Sequence, residues 1–134
     1  VLWPGHPLAQ RTALTLEEIK EEPLVYYAKS FTLHTYIRAF YQEIMAHPKT
    51  VCESSNWDLM VAMVHSHLGI ALLPKSICAR IPAEKAVHIP LIEPTIHWTL
   101  AMIWKSKGFL SHPARTWVQS FKNYFKDTQT SSRV

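Results

Sequence analysis

A chain of 134 residues, 48% hydrophobic and 18% charged, can bury one domain-sized core, and no apolar run approaches the roughly 20 residues that span a bilayer. The formal net charge of +4 is scattered, with a modest excess near the end (Lys105, Lys107, Arg115, Lys122, Lys126, Arg133), so no basic run interleaved with aromatics marks a nucleic-acid surface. Cys52 and Cys78 stand outside any CxxC pair and beside apolar segments, which excludes a disulfide scaffold and suits buried free thiols in a reducing, cytoplasmic setting.

Strands and helices alternate along the chain. Residues 1–3 end a strand, and Pro4-Gly5-His6-Pro7 turns the backbone. No segment here has the basic, apolar and small-residue regions of a secretory signal, and a chain that opens inside a strand without an initiator Met is expected to be a fragment of something longer. Thr15-Leu-Glu-Glu18 has capping-box spacing, and Pro23 stops the short acidic helix it begins. Residues 24–28 form a compact aromatic strand. A helix over 32–46 follows, with Leu33, Ile37, Phe40, Tyr41 and Ile44 at helical spacing, closed by Pro48.

A strand at 50–53 leads into a helix over 54–67. Ser55-Asn-Trp-Asp58 is a second capping-box-like pattern there, and Gly69 supplies a left-handed stop. Residues 70–73 are short and apolar throughout, as in a strand buried on both faces. A helical turn at 75–80 and strands at 87–91 and 98–104 come next, with Glu93-Pro94 in the loop between those strands. The last helix covers 111–125: Ser111 can cap it, and Pro113 fits its first turn, where the missing N–H costs nothing. Ala114, Trp117, Val118, Phe121 and Phe125 form its apolar stripe, and residues 127–134 are expected to fray. The pattern is α/β with a mostly parallel sheet flanked by helices.

The phosphate-loop GxxxxGK[ST], GxGxxG, GxSxG and HExxH signatures are absent, and three glycines could hardly build a glycine-rich loop. His65-Ser-His67 resembles a metal pair, but i,i+2 positions point to different sides of a helix, so no metal is expected there. Glu17, Glu18, Glu21 and Glu22 read as a solvated helix face. The candidate site is instead made of hydroxyls and backbone amides. Ser30 and Thr32 lie at one strand-to-helix turn, and Ser54 and Ser55 at the equivalent turn one unit later. Ligands of open α/β sheets bind outside the carboxyl ends of the strands, where helix amino termini attract negative charge. Either each serine caps only its own helix, or the two turns share a carboxylate. Trp57 walls such a pocket or joins the core.

His6-Pro7-Leu8-Ala9 after a strand, then Thr15-Leu-Glu-Glu-Ile-Lys-Glu-Glu-Pro23, then Gly69-Ile-Ala-Leu-Leu-Pro74 together resemble the effector-binding domain of LysR-type transcriptional regulators. Residues 98–104 followed by Ser111-His-Pro-Ala-Arg-Thr-Trp117 are similar to that family's carboxyl end, and the motifs keep the family's order to about Phe125. The ESSxWD stretch at 53–58 resembles a branch whose relatives respond to small carboxylic metabolites.

The resemblance implies a periplasmic-binding-protein-like (type II) fold of two lobes with the inducer between them. Residues 8–104 would be the second lobe, residues 105–126 the closing helix that returns to the first, and 127–134 a tail. The DNA-binding domain and most of the first lobe would lie outside the chain. Implied effector contacts are Ser30, Phe31, Thr32, Ser54, Ser55, Trp57 and Leu73, with no catalytic residues, cofactor or metal. The implied partners are a small carboxylate effector and, through the missing domain, DNA, in a homodimer or homotetramer away from any membrane. Two other readings stand beside this one: a transporter's solute-binding protein of the same fold, and a small-molecule enzyme using Glu53, Asp58 and a histidine.

Overall fold

The protein is described by a computed structural model over residues 1–94, 96, 102–105 and 108–131. A 3-10 turn at Pro7–Gln10 precedes strand β1 (Leu14–Thr15), helix α1 (Leu16–Ile19), strand β2 (Pro23–Tyr27) and helix α2 (Thr32–Glu43). Strand β3 (Lys49–Ser54), helix α3 (Trp57–His65), helix α4 (Lys75–Cys78), strand β4 (Leu91–Glu93) and helix α5 (His112–Ser131) follow. Two compact units result, Val1–Thr99 and Leu100–Val134.

In the first unit β2 pairs in parallel with β3, and β1 in parallel with β4. Backbone hydrogen bonds extend the first pair sideways. Val25 N–H donates to Ile70 O and Ile70 N–H to Pro23 O, both at 2.8 Å, so Ile70 forms a parallel bridge to Leu24. The Ala71 N–H donates to Val1 O at 3.0 Å, and Leu2 exchanges two 2.8 Å bonds with Val87 as an antiparallel bridge. The bonded order is therefore β3, β2, residues 70–71, residues 1–2, residue 87. Both pairs of named strands are parallel because each strand reaches its partner through a helix-bearing crossover.

The core follows from the pattern of the chain. Leu24 through Tyr27 of β2 are all buried, since that strand has neighbours on both edges and both faces. Helix α2 packs Leu33, Ile37 and Tyr41 inward at the expected spacing, and α3 contributes Met60, Val61 and Val64. The capping box at α1 is complete: Glu18 N–H reaches Thr15 Oγ1 at 3.3 Å, and Thr15 N–H reaches Glu18 Oε2 at 2.8 Å. That backbone bond, with Arg11 at 2.6 Å, holds the Glu18 carboxyl below its ordinary pKa. His6 is buried: Nδ1 accepts the Leu8 N–H at 3.0 Å while Nε2 faces Glu22 at 3.4 Å, so the first motif residue caps the 3-10 turn.

Several sequence expectations need correction. Helix α2 stops at Glu43 rather than 46, because Met45 takes a left-handed φ of 52° and turns the chain toward Pro48. Helix α3 starts at Trp57, not 54: Ser54 stays in β3, and Asn56 Oδ1 caps by accepting the Leu59 N–H at 3.1 Å. The left-handed residue after α3 is His67, with φ 59°, and Gly69 is not left-handed. Residues 70–73 give a bridge instead of a strand: Ile70 and Ala71 are buried, then Leu72 and Leu73 leave half-buried toward Pro74, the cap of α4. Of residues 87–91, Val87 makes only a bridge and 88–90 are not strand; the strand begins at Leu91, where β1 offers a parallel edge. Cys78 is buried, but Cys52 is only half-buried on β3. Of the strand expected at 98–104, residues 98–101 lie outside the described residues, and 102–104 are not strand.

In the second unit, Ser111 Oγ accepts the Ala114 N–H at 3.4 Å, and α5 runs to Ser131, past its expected end at 125. Trp117 stacks on Phe121 at 5.3 Å and Phe121 on Phe125 at 4.6 Å, while Lys122 Nζ lies 5.8 Å from the Trp104 ring. Trp117, Tyr124 and Phe125 of this face are exposed.

One buried group makes a stability test. The Tyr41 hydroxyl is fully buried without a hydrogen-bond partner among the described residues. An unpaired buried hydroxyl costs more than the apolar hydrogen that would replace it. Tyr41→Phe is expected to leave stability unchanged or raise it by up to about 1 kcal/mol in urea unfolding.

Candidate functional site

The register of β2 and β3 places Tyr27 opposite Ser54, and the Ala28 N–H donates to Ser54 O at 3.1 Å. The two strand-to-helix turns therefore leave the sheet side by side. After β2, the Phe31 N–H bonds Ala28 O at 2.9 Å, and Phe31 precedes α2 with no side-chain cap. A helix start without a side-chain cap keeps amide N–H groups available and a partial positive charge. Ser30 and Thr32 flank Phe31 and are exposed, as is Lys29 in the same turn.

The turn after β3 is tighter. Ser54 is buried, and its Oγ accepts the Asn56 N–H at 3.0 Å and donates to Asn56 O at 3.3 Å. Its hydroxyl is thus engaged in the local turn, while Ser55 is exposed beside it. Asn56 caps α3, so neither serine does. A third chain end joins these two: the Tyr27 hydroxyl donates to Leu72 O at 2.8 Å, and the Cys78 thiol lies 3.6 Å from Leu73 O. Burial pushes the Tyr27 phenol far above its ordinary pKa, which keeps it a donor throughout the working pH range. Its ring stacks on Phe31 at 5.6 Å with 17° between planes.

A groove of about 800 Å³ runs from this region along α3. Phe31, Ser55, Asn56 and Trp57 line it with the apolar Val61, Ala62, Ile77 and Ile81, and Arg80 and Lys85 stand against the single carboxylate of Asp58. Trp57 is half-buried, both walling the groove and packing on the core. The structure thus brings Phe31, Ser55 and Trp57 to one groove. Ser30 and Thr32 stay on the adjoining turn, Ser54 sits beneath it and Leu73 at the third strand end, and these four do not line the groove. No group of three or more His, Cys, Asp or Glu among the described residues could hold a metal. His65 Nδ1 lies 3.0 Å from Lys85 O, and His67 stacks on Trp3 at 5.0 Å.

Sequence reasoning missed Asn56, Lys29 and the Arg80–Lys85 pair. Asn56 had a signal, since asparagine is among the favoured caps and stands directly before the apolar run. Arg80 and Lys85 had none, because only tertiary packing lays that segment beside α3.

The arrangement offers hydroxyls, a helix start and apolar walls, groups whose chemistry suits an anion. The comparisons with known proteins bear on the family. The model of the LysR substrate binding domain matches residues 1–126. The HTH-type transcriptional regulator YwbI of Bacillus subtilis (strain 168) is 38% identical over 133 residues, covering 99% of this chain and 44% of that protein. The chain spans less than half the length of the curated relatives it matches. HinK, a LysR family transcriptional regulator from Pseudomonas aeruginosa, superposes with a TM-score of 0.71 at 25% identity, over 88% of this chain and 41% of its own. The effector-binding domain of QuiR, solved with shikimate, gives 0.53 at 26% identity over 55% and 35%.

Proposed function

The chain belongs to the LysR substrate binding domain family, and on that premise we propose that it is the ligand-sensing part of a transcription regulator. The ligand is a small carboxylate held at the Ser30–Phe31–Thr32 and Ser54–Ser55 turns, with Trp57 and Leu73 at the margins. The observation that carries this reading is the Tyr27–Ser54 register, which sets the α2 start without a side-chain cap beside the second turn. The solved QuiR domain holds shikimate, itself a small carboxylate, which supports the ligand class.

The regulator works in the cytoplasm as a homodimer or homotetramer, with a DNA-binding domain outside this chain and no catalytic step. The ligand bridges this lobe and a second one and biases their angle. A preference of about 1–3 kcal/mol for one arrangement is enough to couple binding to DNA affinity. A transporter's solute-binding protein of the same fold is the rival reading, and the match to HTH-type regulators favours regulation.

Calorimetry or NMR titration with a panel of small carboxylates tests the site. Ser30→Ala and Thr32→Ala are each expected to weaken the best binder by about fivefold, the scale of one hydrogen bond. Unchanged binding in both Ser30→Ala and Ser54→Ala would show that the ligand sits elsewhere.

A further inference from the structure

We infer that Tyr27 is the positioning residue of this site, the side chain that fixes the turn after β2 relative to the chain end at residues 72–73. The inference rests on the ligand reading above and adds a residue that the sequence did not single out. Three contacts converge on Tyr27. Its backbone stands opposite Ser54 in the parallel register, its ring lies nearly parallel to Phe31, and its hydroxyl donates to Leu72 O. One residue thereby pairs through its backbone with one of the three segments that leave this end of the sheet and touches the other two with its side chain.

Phe31 gives the connection its importance. It lines the groove and directly precedes the helix start that has no side-chain cap. With no cap to fix that start, the ring contact to Tyr27 sets where the α2 amides point. The hydroxyl bond holds the other end, because Leu72 and Leu73 are half-buried and lie past the last bridge of their segment. The Cys78 thiol at Leu73 O is a weaker support, as thiols are poor donors. Removing the phenol oxygen leaves the ring on Phe31 but frees the Leu72 end, so ligand affinity falls although Tyr27 touches no ligand.

Tyr41 supplies the control. It is as buried as Tyr27, but its hydroxyl bonds nothing among the described residues. Benzoate and shikimate lead the carboxylate panel as probes, titrated into the ¹⁵N-labelled regulator with both lobes present. Tyr27→Phe is expected to weaken the responsive probe by about fivefold and to shift the Phe31 and Leu73 amides of the free protein, whereas Tyr41→Phe binds like the unchanged chain. Equal affinity for Tyr27→Phe, or an equal loss in Tyr41→Phe, overturns the positioning role while leaving the site intact. If the unchanged regulator, with both lobes present, binds neither these probes nor any other carboxylate of the panel, the ligand reading fails and the role of Tyr27 goes with it.

Discussion

Gly69→Ala is expected to lower the melting temperature by about 10 °C, the consequence of roughly 3 kcal/mol lost to overpacking in a domain of this size. A Cβ built at Gly69 would sit 2.4 Å from Pro23 O and 2.9 Å from Pro23 C, and both atoms are backbone. No rotamer change relieves that clash, so the 68–70 segment must withdraw from β2. The withdrawal stretches the bonds from Ile70 N–H to Pro23 O and from Val25 N–H to Ile70 O, which join the third chain end to the sheet. Gly5→Ala is the matched control, since a Cβ there meets only Trp3 Cδ1 at 3.9 Å. A thermal melt showing both variants alike would mean that the close approach at Gly69 is not what fixes that residue.

The second large effect is a cavity. Met60 is fully buried on the face of α3 that joins the core. Truncating it removes apolar contacts and leaves space that the surrounding side chains fill only in part. Met60→Ala is therefore expected to cost about 2–5 kcal/mol in denaturant unfolding. Leu59→Ala is the matched control, since the neighbouring Leu59 side chain is exposed, and it is expected to change stability by less than about 0.5 kcal/mol. Equal losses in the two variants would show that α3 is not held by its buried face.

Local patterns were legible because their causes are local. Thr15 and Glu18 are three residues apart, so their capping box needs no knowledge of the rest of the chain. The Leu33, Ile37 and Tyr41 stripe is buried as read, because helical spacing alone puts these residues on one face. Errors arose where distant backbone intervened. Gly69 looked like a helix stop, yet it is held by the approach of Pro23 from another strand, and His67 makes the left-handed turn. Residues 70–73 looked like a full strand, yet only Ile70 makes a parallel bridge before the chain leaves for α4.

The candidate site divides in the same way. Ser30, Thr32, Ser54 and Ser55 could be named from the sequence, since strand-to-helix turns on a parallel sheet must lie at the strands' carboxyl ends, and the family resemblance added Phe31. The sequence also carried the ordered motifs that a family match over residues 1–126 confirms. The tertiary structure decided which of those groups remain available. Ser54 turned inward onto Asn56, α2 kept a start without a side-chain cap, and Tyr27 reached across to Leu72. Such choices depend on register and on contacts between residues as far apart as 27 and 72, and no periodicity within one segment encodes a distance between two.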